Sequence, residues 1–294
     1  MSSTRRSFLR AAALTPALAV LTRPLGRFGG DAAAMATHGV EVPSAGLVID
    51  ASGLVGVSLS WAPSAGGSSV APVADVRART GGTWGRWTPI EPDRGHGPDD
   101  PGREHGPPIL VPGADAHEIS PRPGVTGLRV HPLDGGADAA PFSALTTVSP
   151  MPGLDIIERH NWTDRPRKAT WDCVLGSSLF GRGCRADVGL RHAIVHHTVN
   201  VNDYGQGAVP TLLIGIQRYH MDTRGWDDIA YNFVVDRFAR IWQTREADLI
   251  EPITGGHTTG LNTESVGVAV LGDFRGHDPG AAVADVIGTL LGWK

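Results

Sequence analysis

Cysteine is scarce: the 294 residues contain two, Cys173 and Cys184. One bridge is the most they can form, and their spacing matches no common zinc pattern. Lysine is almost missing too. Lys168 and Lys294 are its only members, so arginine carries nearly all the positive charge. An excess of charge of one sign is absent: 26 Lys and Arg against 30 Asp and Glu leave a net charge of -4. That balance excludes nucleic acid as the main partner, because such binders show a basic footprint. Beyond the N-terminal segment no stretch is long and apolar enough to span a bilayer as a helix, which takes about 20 residues. A stable membrane span in the mature chain is excluded on that ground.

What the chain does have begins with an address. Thr4-Arg5-Arg6-Ser7-Phe8-Leu9-Arg10 precedes a short apolar run, residues 11–21. A charged start followed by a short apolar stretch reads as a signal peptide, and the arginine pair makes it a twin-arginine type. Residues 1–37 are therefore expected to be signal and linker, with export to the cell wall or medium. An oxidising destination favours pairing of Cys173 with Cys184. The ten residues between them close a loop worth roughly 2–3 kcal/mol. Two free thiols or a metal pair are the alternatives.

The 39 glycines and 22 prolines announce many turns. Residues 38–148 read as an all-β module. Val55, Val57, Leu59 and Trp61 alternate with Gly56, Ser58 and Ser60, the period of a half-buried strand. Val76 and Ala78 alternate in the same way with Asp75, Arg77 and Arg79, and Leu128 and Val130 repeat the pattern. Residues 92–108 hold His96, Asp99, Asp100 and His105 and read as a solvated loop rather than a metal site. Residues 143–153 read as a linker to the second unit, 154–294.

In that unit residues 190–199 hold a strand, 209–220 a helix with Pro210 in its first turn, 229–235 and 240–243 a hairpin, 265–271 a strand and 281–293 a helix. The fold class expected is α/β, a mixed sheet flanked by helices, preceded by the small all-β domain. Within the first strand His196 and His197 are adjacent, so their rings point to opposite faces and at most one enters a given site.

Three blocks carry the chemistry. They are Val195-His196-His197-Thr198; then Tyr219-His220 followed by Gly225-Trp226-Asp227-Asp228-Ile229-Ala230-Tyr231-Asn232-Phe233; then Gly256-His257-Thr258-Thr259-Gly260-Leu261-Asn262 through Val268. In this order and spacing they resemble the zinc-type N-acetylmuramoyl-L-alanine amidase and peptidoglycan recognition family, over about residues 156–274. The resemblance implies Zn2+ as cofactor and peptidoglycan, as muramoyl peptides, as partner. It places a zinc ligand at His196, a catalytic hydroxyl at Tyr231, and substrate contacts at His220, His257, Asn232 and Asn262. The implied reaction is hydrolysis of the amide between N-acetylmuramic acid and L-alanine by zinc-activated water.

The resemblance is incomplete. Family members carry further zinc ligands in a Gly-His-Arg-Asp-like block and in a Cys or Asp before Pro-Gly, and this sequence reaches Trp293-Lys294 without them. A C-terminally incomplete amidase domain is the expectation. A non-catalytic peptidoglycan-binding protein or an inactive fragment is the alternative. Family members also usually carry Gly where Ala239 stands, and Ala is poorer at positive φ.

Overall fold

The computed structural model describes residues 19–21, 38–51, 53–63, 71–93, 103–135, 145–168, 189–250 and 252–294. Most of the expected signal peptide, the cysteine pair, and His96, Asp99 and Asp100 lie outside these residues. Within the expected signal segment, Ala19–Leu21 (β1) runs parallel to residues 47–49.

The β module follows with β2 (Val40–Glu41), β3 (Leu47–Asp50), β4 (Leu54–Trp61), β5 (Ala74–Thr80), β6 (Thr83–Trp84), β7 (Thr88–Ile90), β8 (Glu104–His105), β9 (Ile109–Leu110), β10 (Ala116–Pro121) and β11 (Arg129–Asp134). One sheet runs β1-β3-β10-β5-β6, with β7 on β5, and the other β2-β11-β4-β8, with β9 on β4. Ile49, Val57, Leu59, Trp61, Val76, Ile119 and Val130 fill the space between the two sheets. On the outer face of β5 the charged residues of the alternation pair across to β10 and its end. Arg77 meets Glu118 at 2.6 Å, Arg122 meets Asp75 at 2.6 Å, and Arg79 bonds Asp115.

The second unit contains β12 (Thr147–Met151), β13 (Leu154–Ile157), β14 (His192–His197), helix α1 (Val209–Arg218), β15 (Phe233–Val235), β16 (Ile241–Gln243), β17 (Ser265–Val270) and helix α2 (Ala281–Trp293). Its sheet order is β12-β13-β16-β15-β17-β14. It is mixed: β14, β17 and β15 are parallel, and β15–β16 is antiparallel. Helix α1 covers one face and α2 the other, each with its own apolar cluster. The expected α/β class with an all-β segment before it is what the chain forms. The stretch read as a linker holds β12, which pairs with β13.

Two readings of the β module change. Strand β4 is buried on both faces along its whole length. At its start β11 advances one residue, Leu133 to Asp134, while β4 advances two, Gly56 to Leu54. Val55 is thus the extra residue of a β-bulge, and it leaves the sandwich core to join the cluster around α1. The small residues of the alternation, Gly56, Ser58 and Ser60, are small because the second unit and β9 press on them. A Cβ on Gly56 would fall 2.1 Å from the Ile109 carbonyl oxygen. Ser58 Oγ donates to Thr223 Oγ1 at 3.5 Å.

Residues 103–108 are likewise not a solvated loop. His105 is a buried strand residue, and Asp93 N donates to its carbonyl at 2.8 Å.

Helix α1 is therefore enclosed from two sides, by the mixed sheet and by β4, β9 and β11. Val209, Leu212, Leu213, Ile214 and Ile216 are all buried, as expected of a helix that is apolar nearly all round. Gly215 makes the contact possible: a Cβ there would fall 2.6 Å from Val55 Cγ1.

Candidate functional site

Helix α1 does not stop cleanly at its expected end. Residues Tyr219–Thr223 form one wider π-type turn, closed by Arg224 N donating to the Tyr219 carbonyl at 2.9 Å. Such turns occur often at functional sites. This one drives Tyr219 and His220 into the junction between the two units. His220 stacks on Trp226, ring centroids 4.8 Å apart and planes 15° from parallel. Ala230 N donates to His220 Nδ1 at 3.2 Å. A neutral ring accepting there carries its proton on Nε2.

The acidic pair after Trp226 anchors this arrangement. Asp228, fully buried, bonds Arg159 at 2.9 Å and accepts the backbone N–H groups of Ile229 and Glu246. Asp227 pairs with Arg245 at 2.7 Å. The Trp-Asp-Asp signature thus fixes the two strand-flanking segments that carry His220 and Tyr231.

Tyr231 and His196 meet on the α1 side of the sheet, ring centroids 5.4 Å apart. His220 lies 5.8 Å from Tyr231. Burial pushes the Tyr231 phenol far above its ordinary pKa. It therefore stays neutral and able to donate a hydrogen bond across the working pH range.

His196 Nε2 lies 3.0 Å from His257 Nδ1. His257 is completely buried, in space left by missing side chains. A Cβ at Gly267 would fall 2.2 Å from its ring, and one at Gly255 2.4 Å. The proton positions follow from the bonds. Ser265 Oγ donates its one proton to the Leu261 carbonyl at 2.7 Å. His257 Nε2–H, 3.3 Å from Ser265 Oγ, must then donate to that oxygen. In the neutral ring Nδ1 is left as acceptor, so His196 Nε2 carries the proton between the two histidines.

The two asparagines expected to touch substrate have internal work instead. Asn232 Oδ1 accepts Gly267 N at 2.8 Å, and its Nδ2 donates to the Ile253 carbonyl at 2.8 Å. Asn262 Oδ1 accepts the N–H groups of His257 and Thr258, both at 2.8 Å. Both amides hold the loop that presents His257.

A cleft of about 190 Å³ opens where the two units meet. From the second unit His220, Tyr231, His197, Thr198 and Arg275 border it. His196 and His197 do turn opposite ways. His197 borders the cleft and accepts Phe274 N on Nδ1 at 2.9 Å. Beside it Val199 sits at φ 59°, a strained position for a β-branched residue.

The other wall comes from the β module, through residues 88–93 and 107–109. Sequence reasoning missed this wall. The fixings between the units are buried. Arg224, 1% exposed at its side chain, bonds Asp93 at 3.0 Å. Tyr219 Oη donates to the Gly106 carbonyl at 2.9 Å, and Arg224 also lies over the Trp226 ring at 4.6 Å.

A catalytic zinc needs three protein ligands. Among the described residues no group of three or more His, Cys, Asp or Glu could hold a metal ion. His196 Nε2 is moreover engaged through a proton with His257. The described donor set does not fit zinc.

Comparisons with known proteins agree with the blocks. Residues 186–294 match the profile of the family described as N-acetylmuramoyl-L-alanine amidase. Peptidoglycan-recognition protein SC2 of Drosophila melanogaster is 35% identical over 123 residues, covering 42% of this chain and 58% of that protein. Peptidoglycan-recognition protein 1 of Holotrichia diomphalia is 30% identical over 107 residues, covering 35% and 50%. A solved structure of bumblebee PGRP-SA aligns with a TM-score of 0.38 at 26% identity, over 47% of this chain and 73% of that one. Residues 186–294 are thus similar to the N-acetylmuramoyl-L-alanine amidase family, and the relatives matched are peptidoglycan-recognition proteins. The chain spans between 50% and 58% of the length of these two curated relatives.

Proposed function

We propose that this chain is an exported peptidoglycan-binding protein that holds a muramoyl peptide in the cleft between its two units. The observation that carries the reading is that Tyr231 and His220, held together on the α1 side of the sheet, border one cleft in a unit that resembles this family. Tyr231 and His220 are the groups on this side that would meet a peptide carbonyl. Held in place before the ligand arrives, such groups cost little to align. His196 and His257 brace the floor behind Tyr231.

Amidase chemistry is the finer reading. A bound zinc would polarise the muramoyl–alanine carbonyl and activate water, and His196 is the residue the resemblance assigns to it. Because the described residues do not complete the ligand set, no step is assigned to the metal. Export rests on the arginine pair; replacing Arg5 and Arg6 by Lys should leave precursor inside the cell.

The test is calorimetric titration of the full chain with a soluble muramoyl peptide, with zinc content and amide cleavage measured on the same sample. Saturable binding is expected, weakened about two- to tenfold in Tyr231→Phe by loss of one hydrogen bond. Absence of binding by the wild type overturns the reading. One zinc per chain together with cleavage would establish the hydrolase and show that ligands outside the described residues complete the site.

A further inference from the structure

We propose that the β module is the second wall of the ligand cleft and that Glu91, on that wall, selects ligands that present a primary ammonium group to it. The inference rests on the peptidoglycan reading and adds to it a residue and a ligand chemistry.

The wall is fixed, not tethered. Asp93 pairs with the buried Arg224, Tyr219 bonds the Gly106 carbonyl, and Val55 packs over Gly215. A ligand reaching Tyr231 and His220 from the cleft passes residues of the β module on its other side.

The two walls differ in hydrogen-bonding character. The second unit brings the Tyr231 hydroxyl and the His220 imidazole to the cleft. The β module offers Pro89, Pro92, Pro107 and Pro108. Proline has no N–H, so these positions leave carbonyls as their only backbone polar groups. At these four positions the wall has no backbone N–H to offer a ligand.

Charge points the same way. Around the cleft Asp93 is matched by Arg224. Arg275 is matched by Asp273, with Nε donating to Oδ1 at 3.0 Å and to Oδ2 at 3.2 Å and NH2 donating to Oδ2 at 2.6 Å. Among the described residues the Glu91 carboxylate has no hydrogen-bond or ion-pair partner, and it borders the cleft. Arg275 is held protonated first by Asp273 and, more weakly, by the field of Glu91, which places that carboxylate within electrostatic reach of the facing wall. The unmatched ionic valence of the cleft, among the described residues, is therefore one negative charge on the wall of the β module. A stem peptide whose side-chain amine is free satisfies it, and one whose amine is acylated does not.

The experiment compares two soluble muramoyl peptides, identical except that the side-chain amine is free in one and acetylated in the other. Both are titrated into the full chain and into Glu91→Gln, with melting curves to confirm that the exposed substitution leaves the fold intact. The wild type should bind the free-amine peptide about three- to tenfold more tightly. Glu91→Gln should erase that preference by weakening the free-amine peptide alone. Equal affinities in the wild type, or a preference that survives in Glu91→Gln, would overturn the proposal while leaving peptidoglycan binding intact. Failure of both peptides to bind the wild type would take down the peptidoglycan reading itself.

Discussion

His117 and His257 are both completely shielded from solvent, one in each unit. In the second unit His257 is bonded at both ring nitrogens, to His196 and to Ser265, in a space vacated by Gly267 and Gly255. In the β module His117 lies on β10 beside Ile49 of β3 and Ala78 of β5, and neither ring nitrogen has a hydrogen-bond partner. A buried polar group without a partner costs about 1–3 kcal/mol. The second unit spends glycines and a serine to orient an imidazole next to its cleft. The β module tolerates one as filler. The first arrangement specifies a direction for a proton, and the second leaves the sandwich sensitive to acid.

The junction between the units tests the comparison most severely, because there the β module supplies a partner rather than filler. Asp93 is the carboxylate facing a guanidinium with a 1% exposed side chain. Asp93→Ala strands that charge, and losing one partner of a buried pair costs about 3–5 kcal/mol. Chemical denaturation should show the loss in the transition that reports on Trp226, which stacks against Arg224. A loss below about 1 kcal/mol, the range of exposed pairs, would mean that the units are merely adjacent.

His117 gives the next effect. Burial lowers its pKa from 6.5 to about 4. The unfolded chain therefore binds a proton between those values that the folded chain refuses. Stability is fully present above pH 6.5 and falls as the pH drops toward 4, by up to about 3 kcal/mol from this residue. His117→Phe keeps a planar apolar ring and removes the titration. Unfolding free energies at pH 7, 5.5 and 4 should converge on a flatter profile for the variant. Parallel wild-type and variant profiles would place the acid sensitivity elsewhere.

The two units also differed in how far their sequence could be read. In the second unit each signature residue has a partner that its neighbours supply: Asp228 takes Arg159, Asp227 takes Arg245, and Trp226 takes His220. Those requirements keep the block recognisable, and with it the sheet and α1. In the β module the alternation of β4 was visible, but its meaning was not. A row of Gly and Ser looks the same whether it faces water or a helix more than 150 residues further on. Only the bulge that turns Val55 outward and the missing side chain at Gly215 decide between them. The cleft wall was hidden for the same reason, since residues 88–93 and 107–109 acquire a role only through Asp93 and Gly106 meeting Arg224 and Tyr219. Asn232 and Asn262 show the converse: expected at the substrate, their amides bond the loop of His257.

The smallest effect separates strain kept at the cleft from strain kept in a turn. Val199 and Ala239 have almost the same backbone, φ 59° and 58°. Val199 borders the cleft. Ala239 closes the hairpin between β15 and β16, its N–H donating to the Asp236 carbonyl at 2.9 Å. Asp236 Oδ1 holds the same turn through the N–H groups of Phe238 and Arg240. The Ala239 methyl touches the edge of the α2-side cluster, but an L-residue at this left-handed position costs roughly 1–2 kcal/mol. Glycine removes this cost but adds entropy to the unfolded chain, about 0.4–1 kcal/mol. The expected balance for Ala239→Gly is a gain of about 0.5 kcal/mol, read as a higher denaturation midpoint with unchanged muramoyl-peptide affinity. Val199→Gly relieves the same strain on the cleft wall, so it should stabilise similarly yet weaken the ligand, because it removes a side chain from the surface the peptide meets. If both variants bind the peptide like the wild type, the strain at Val199 has no part in holding the cleft.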